Sequence, residues 1–528
     1  QKTKGDQSIL VINPHINFFG IGQRYEAHLI SAQGSNVSGF AIFGTFYIWS
    51  GFNEKLAWAH TNTGSDFQDV YLEKPDPADS TRYKYDNAYR NIITWQDTIS
   101  YKTGEQTGYR IFTFRKTHHG PIVAKRDSLL VTVRSVLDDP AGYILQSLQM
   151  SKSNTLKEFE TAMSLRQLTT NTMYSDAKGN IAYWHGSRIP VRDTSFNWRL
   201  PVDGSVKETE WKGYHSSKET IHFINPSSHY LQNCNSTPFL AAGGSVKKDN
   251  SYYPSYMAYD DQTLRAQEML LQLSLKEKFN STDIAEAITS KNIPIMRNWL
   301  SQIIDDYKKT AEQHPEIKTL LGSVIDTLFN WNYRYDLKST ATTLAFAWHT
   351  EYLSWLRSLR LSRGAQSEYH NNPTLPTPPG LSTQFLVTAV EDLTHLYGTP
   401  FVGWQEVCRL QRVNTSGQEK FDDAKFSIPV NAAPSIMGSL FAYNLRFAEG
   451  GKRGYGVSGN TYVAIVSFGK KMTAKSIVTF GQNSDPLSKH FFDQAPLYAN
   501  AGFKEAWYYK KDVMMHAEEI YTPGKKKE

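Results

Sequence analysis

The sequence predicts an α+β fold, a layered sheet body that carries an inserted helical lobe. Three observations lead there. Residues 8–260 are rich in short β-type runs broken by turn residues, the stretch from Thr263 to Leu361 changes to a helical period, and strand-like runs return from Asn460 to Gly481. Strands separated by an insertion must still share a core, which favours one layered body over independent domains. The expected division is a sheet-rich first part over 1–260, a helical lobe over 261–363, a proline-rich connection over 364–385, and a return to the sheet core over 386–528.

Taken in order, the expected strands of the first part are Ser8 to Ile12, Gly39 to Trp49, Tyr109 to Arg115, Leu129 to Val136 and Ile181 to His185. Asp176-Ala-Lys-Gly-Asn180 has the composition of a turn between two strands. From Ile317 to Tyr335, Leu320, Leu321, Val324, Ile325, Leu328 and Phe329 form the stripe of an amphipathic helix. A second helix is expected from Ala341 to Leu361, with Leu344, Trp348, Tyr352 and Trp355 on one face. Gly364 to Gly380 contains Pro373, Pro376, Pro378 and Pro379 and is expected to be a non-helical, exposed connection. Asn460 to Ser467 and Ser476 to Gly481 have the apolar content of buried strands, and the basic tail to Glu528 is expected to fray.

Composition narrows the function classes. With 528 residues, 40% hydrophobic and 13% aromatic, the chain has material for a large packed core, which excludes a disordered chain or a small disulfide scaffold. A net charge of +6 is too dilute for a nucleic-acid surface. The longest apolar run, Gly39 to Phe52, is shorter than the ~20 residues of a membrane-spanning helix, and the start QKTKGDQSILVINPH has no apolar region of the signal-peptide kind. The two cysteines, Cys234 and Cys408, are expected to be separate thiols.

GxxxxGK[ST], HExxH, GxSxG and CxxC are absent, which disfavours a P-loop, a zincin, an α/β-hydrolase elbow and a zinc ribbon. His118 and His119 invite a metal reading. Neighbouring strand residues point to opposite faces, so the pair is not expected to share one ion. Asp66-Phe-Gln-Asp69 follows the polar turn His60-Thr-Asn-Thr-Gly64, and two carboxylates so spaced suit either a hard cation or a solvated loop. Asn233-Cys-Asn235 on its own is a turn.

Several segments, in order, resemble the penicillin acylase family of N-terminal-nucleophile hydrolases. They are Val11-Ile-Asn-Pro-His15 with Tyr25-Glu-Ala-His28, Asn53 to Trp58 with Thr61-Asn-Thr-Gly64 and Asp66 to Tyr71, and Thr117-His-His-Gly-Pro-Ile-Val123. Asp176 to Gly186, Arg199-Leu-Pro201, Gln232-Asn-Cys-Asn235, Arg265 and Ser488 to Gln494 continue the series. The resemblance implies a four-layer αββα sandwich and an amidohydrolase that cleaves N-acylated small molecules of the penicillin, acyl-homoserine-lactone or N-acyl amino acid type. In that chemistry an N-terminal serine, exposed by self-cleavage of a precursor, attacks the amide carbonyl while its own α-amine acts as base. The reference pKa of an α-amine, ~7.7 to 8.0, leaves much of it neutral near pH 7, so no histidine base is needed.

Carried over residue by residue, the resemblance makes Asn235 and the backbone N–H of Asn62 the oxyanion donors, sets Arg265 near the α-amine and as the group that orients Asn235, and makes His15 a positioning group beside the nucleophile. It makes Asp66 and Asp69, with the carbonyls of Gln68 and Pro201, ligands of a structural Ca²⁺, and needs no cofactor for catalysis. Ile16, Ser50, Ser147 and Thr170 are expected near the acyl chain, and their size suggests an aliphatic or mixed chain. The partner is expected to be the smaller subunit of the same precursor, and the compartment the bacterial periplasm or exterior. The serine is expected a short way upstream of Gln1. The competing reading is a non-hydrolysing secreted relative that keeps the pocket and binds without turnover.

Overall fold

The computed structural model describes residues 2–137, 140–186, 188–244, 252–413, 420–522 and 524. Gln1 and the tail from Lys525 to Glu528, whose fraying was expected, lie outside the described residues. Two compact units result, one from residues 1–60, 174–181 and 262–528, the other from 61–173 and 182–261. The boundary therefore cuts the sheet-rich first part at His60 and leaves the helices from Leu264 onward in the same unit as the C-terminal strands, while Pro140–Lys152 and Leu156–Met163 fall in the second unit.

In the first unit, Ser8–Ile12 pairs antiparallel with Tyr462–Phe468, whose other edge pairs with Met472–Val478. Every residue of Tyr462–Phe468 is buried, as expected for an apolar strand covered on both faces. His15–Asn17 pairs with Gly454–Asn460, which puts His15 opposite Asn460. Arg24–Ser31, Ser35–Ile42, Ser50–Phe52 and Leu56–Thr61 follow as an antiparallel meander. The expected strand over Gly39 to Trp49 ends at Ile42, where a turn donates Thr45 N to Ile42 O at 2.9 Å. Asp176 closes its predicted turn by accepting from Lys178 N and Asn180 N, each at 2.9 Å.

The helices bury the predicted residues with adjusted limits. Pro315–Phe329 buries Leu321, Val324, Ile325 and Leu328, while Leu320 and Phe329 face solvent, so the apolar stripe is narrower than the sequence pattern. Thr340–Ser358 starts where Ser339 Oγ accepts from Thr342 N at 3.1 Å, and Trp348 stacks on Tyr352 with centroids 5.5 Å apart. The segment expected to be non-helical contains the helix Arg363–Asn371, capped by Ser362. All four prolines follow that helix, and proline obstructs only the turn that it enters. Leu381–Tyr397 is helical too, burying Phe385, Leu386, Ala389, Val390 and Leu393, so strand structure returns only at Cys408–Leu410 and not at residue 386.

The second unit has a sheet in the order Ile93–Thr103, Gln106–Thr117, Gly120–Arg126, Leu129–Ser135, Gln68–Glu73, Val202–Asp203. Only the last pair is parallel, with Val202 beside Tyr71. His118 and His119 are the turn between the second and third of these strands, because Thr117 pairs with Gly120. The expectation of opposite faces is thus overturned: the chain reverses at the pair, and the two ring centroids lie 3.8 Å apart. Among the described residues no helix is long and apolar enough to cross a membrane, and Cys234 and Cys408 form no disulfide.

Candidate active site

Asn62 and Asn235, both in the second unit, are brought together. Asn235 Nδ2 donates to the Asn62 carbonyl at 3.1 Å, and the Asn235 backbone is left-handed, with φ 55°. Asparagine is among the few residues with a side chain that adopt this conformation readily. Asn233 holds the turn: its Oδ1 accepts from Asn235 N at 3.1 Å and from Thr61 Oγ1 at 2.6 Å. Behind them the buried Asn171 donates from Nδ2 to Thr61 Oγ1 and to Asn62 O, and accepts at Oδ1 from Tyr183 Oη and His185 Nδ1. Burial holds His185 neutral, with a pKa lowered to about 4. Asn171, Tyr183 and His185 were not singled out in the sequence, although the DAKGNIAYWHG block carries the last two.

Gly64 ends the same loop with its N–H donating to Asp260 Oδ1 at 2.6 Å. A Cβ at this glycine would meet that oxygen at 2.9 Å, so close backbone approach explains the residue. Burial pushes the Asp260 carboxyl up to about 6, against the opposing hydrogen bonds from Gly64 and Thr63.

His15 and Arg265 form a pair in the first unit. Arg265 lies in the first turn of the helix Leu264–Ser274, which Thr263 caps by accepting from Ala266 N. Its Nη1 donates to His15 Nδ1 at 3.0 Å, which leaves the imidazole proton on Nε2. Burial first, and the guanidinium charge second, hold the His15 pKa well below its ordinary value. His15 Nε2 is buried without a hydrogen-bond partner among the described residues. This arrangement presents an N–H donor and not a base.

Asp66 and Asp69 flank a residue that sequence reasoning missed. The buried Arg192 donates from Nε to Asp69 Oδ2 at 2.7 Å and from Nη2 to the Asp66 carbonyl at 2.9 Å, and Trp211 Nε1 donates to Asp69 Oδ2 at 2.6 Å. Nothing in Ile189-Pro-Val-Arg192 marks this arginine as internal. Burial raises both carboxyl pKa values, that of Asp66 to about 7, with the Arg192 charge opposing. Asp66 Oδ2 and Asp69 Oδ1 remain buried with no hydrogen-bond partner among the described residues. One guanidinium charge against two carboxylates, with an oxygen of each left over, fits a hard divalent ion such as Ca²⁺. The parallel pairing of Val202 with Tyr71 brings Pro201 alongside the strand that starts at Gln68 and carries Asp69.

The residues expected around the acyl chain are scattered in role. Ile16 is half-buried in the strand His15–Asn17. Ser50 is buried, and its Oγ accepts from His60 N at 3.1 Å. Ser147 bonds back to Tyr143 O within the helix Pro140–Lys152. Thr170 lies half-buried just before the strand Asn171–Asp176.

Comparison with known proteins agrees over nearly the whole chain. Residues 1–514 match the family described as Penicillin amidase. The acyl-homoserine lactone acylase PvdQ of Pseudomonas fluorescens (strain Pf0-1) is 23% identical over 553 residues, covering 96% of this chain and 67% of that protein. The penicillin G acylase of Escherichia coli is 26% identical over 241 residues, 45% of this chain and 28% of that protein. The chain thus spans about two thirds of the length of the PvdQ relatives. In fold it is similar to the thermostable penicillin G acylase from Alcaligenes faecalis, with a TM-score of 0.71 at 20% identity, covering 100% of this chain and 98% of that one. The fold is therefore the α+β N-terminal-nucleophile hydrolase fold of penicillin G acylase. The chain belongs to the penicillin amidase family.

Proposed function

We propose that this chain is the larger part of an amidohydrolase that cleaves N-acylated small molecules through an acyl-enzyme. The observation that carries the reading is the Asn62–Asn235 pair, held by Asn233, Thr61 and Asn171 so that a side-chain amide adjoins the loop backbone of Asn62.

The nucleophile is the hydroxyl of an N-terminal serine ahead of Gln1 in the mature enzyme. Its oxygen attacks the amide carbonyl and its α-amine takes the hydroxyl proton, directly or through water. Asn62 N–H and Asn235 Nδ2 donate to the oxygen of the tetrahedral intermediate, where negative charge develops. Collapse expels the amine, which receives the proton from the α-ammonium, and water then hydrolyses the ester by the same relay. The Arg265 charge favours the neutral α-amine, and His15, held as an Nε2–H donor, positions and does not deprotonate.

Substrates are acyl amides with an aliphatic or mixed chain, whose leaving amine is a β-lactam nucleus, a homoserine lactone or an amino acid. Asp66 and Asp69, with Gln68 and Pro201 carbonyls, hold a structural Ca²⁺ whose chemistry is to neutralise their charge, not to activate water. The partner is the smaller chain of the same self-cleaved precursor, and the compartment is the periplasm or the exterior.

The test is amine release from penicillin G, N-acyl-homoserine lactones and N-acyl amino acids by the protein expressed as its full precursor. Release from at least one class, lost in Asn235→Ala, supports the reading. Saturable binding without release from any would replace it with the non-hydrolysing relative.

A further inference from the structure

We propose that His118, His119 and Glu210 form a binding site for a divalent transition-metal ion of the Zn²⁺ class, with ligands that take no part in acyl transfer. The three ligand atoms already converge. His118 Nε2 lies 2.7 Å and His119 Nε2 3.2 Å from Glu210 Oε1, and the three lie within 4.8 Å of one another. Around a tetrahedral zinc ion with bonds of ~2.0 to 2.1 Å, neighbouring ligand atoms are about 3.3 Å apart, so little movement is required.

The surroundings are those of metal-binding histidines, whose second ring nitrogen is characteristically held by an outer partner. His119 Nδ1 donates to Glu73 Oε1 at 2.9 Å, and that carboxylate is fixed by Thr117 Oγ1 at 2.7 Å and Thr132 Oγ1 at 3.1 Å. His118 Nδ1 is 2.8 Å from the Tyr83 hydroxyl. The His119 ring is further set by stacking on Tyr71, with centroids 3.8 Å apart and planes 8° from parallel. Both Nε2 atoms are thereby turned toward one carboxylate oxygen.

The His119 side chain is fully buried, and its Nε2 is aimed at Glu210 Oε1 at 3.2 Å, so the atom is already directed into the site. Arg134 Nη1 takes the other oxygen, Oε2, at 2.9 Å and leaves Oε1 for the ion. The side chains of His118 and Glu210 are 23% and 26% exposed, which gives the ion a route in and leaves a fourth position to water. Two imidazoles with one carboxylate select zinc-class ions over Ca²⁺ or Mg²⁺, which prefer all-oxygen shells. Binding requires each Nε2 to give up any proton it carries, and the ion ties the turn at residues 118–119 to Glu210.

The test is titration of the chelator-treated full-length protein with Zn²⁺ against a chromophoric chelator, with Co²⁺ as the spectroscopic probe. One equivalent is expected to bind, unaffected by excess Ca²⁺, with visible Co²⁺ bands of a four-coordinate nitrogen and oxygen shell. His118→Ala should weaken binding roughly 100-fold or more, at or beyond the upper end of the ~10 to 100-fold that outer partners control, and Glu210→Gln should act likewise. Failure to retain one equivalent, or equal affinity in wild type and either folded variant, would overturn the site. X-ray absorption of the zinc-loaded wild type needs no variant: two imidazoles in the shell support the proposal, and a shell without them refutes it.

Discussion

The guanidinium of Arg265 points at an imidazole: its Nη1 is 3.0 Å from His15 Nδ1, in a buried setting that keeps the ring neutral. A histidine so placed does not titrate in the working range of an α-amine. His15→Gln is therefore expected to lower kcat/KM while leaving the midpoint of the acidic limb of the pH–rate profile where it is in the wild type. A shift of that midpoint would make His15 the base.

Asn235→Ala removes one proposed oxyanion donor. The expected loss is ~10² to 10³ in kcat, about 2.7 to 4 kcal/mol of barrier, with KM little changed. The thermal stability of the variant should also fall, since it loses the hydrogen bond to Asn62 O, worth about 1 kcal/mol, and places alanine in the left-handed backbone of residue 235 at a cost of roughly 1 to 2 kcal/mol. Steady-state kinetics beside a melting curve separates the two effects.

His185 makes stability depend on pH. Its pKa is about 4 in the folded chain against an ordinary 6.5, so the unfolded chain takes up the proton first as pH falls. The contribution is complete above pH 6.5 and is lost as pH drops toward 4, in all about 3 kcal/mol at 1.36 kcal/mol per unit. Urea unfolding at pH 7 and pH 5 should show about 2 kcal/mol of this loss, 1.36 kcal/mol for each unit between 6.5 and 5, and His185→Gln should flatten it. An unchanged slope in the variant would assign the loss elsewhere.

Arg192→Met would leave Asp69 and Asp66 without their internal cation. Breaking a buried pair in this way costs about 3 to 5 kcal/mol, read as a lower denaturant midpoint. The proposed Ca²⁺ makes a separate demand: exhaustive chelation should lower the melting temperature of the wild type, Ca²⁺ but not Mg²⁺ should restore it, and Asp69→Asn should abolish the response. A melting temperature indifferent to chelation would remove Ca²⁺ from this site.

Local order was legible wherever a repeat of side chains carried it. Ser8–Ile12 and the turn Asp176 to Asn180 emerge with the limits expected, because alternation and turn chemistry act within a few residues. The helix Arg363–Asn371 was hidden by the prolines that follow it, whose effect was spread over too long a window. Asn235 and Asn62 could be named from the family's motifs, but neither motif discloses Asn171, which is joined to both through Thr61, Asn62 and Asn233.

By itself, then, the sequence determined the α+β class, the family, and which polar residues to watch. Those depend on composition, period and ordered motifs, all readable along one dimension. Only the tertiary structure decided that Arg192 lies between Asp66 and Asp69, that Arg265 is bonded to His15, and that His118 and His119 turn toward Glu210 and not away from each other. Each joins residues far apart in the chain, or depends on where a strand reverses. Burial then sets their charge: desolvation depends on everything folded around a group, which no local stretch of sequence contains.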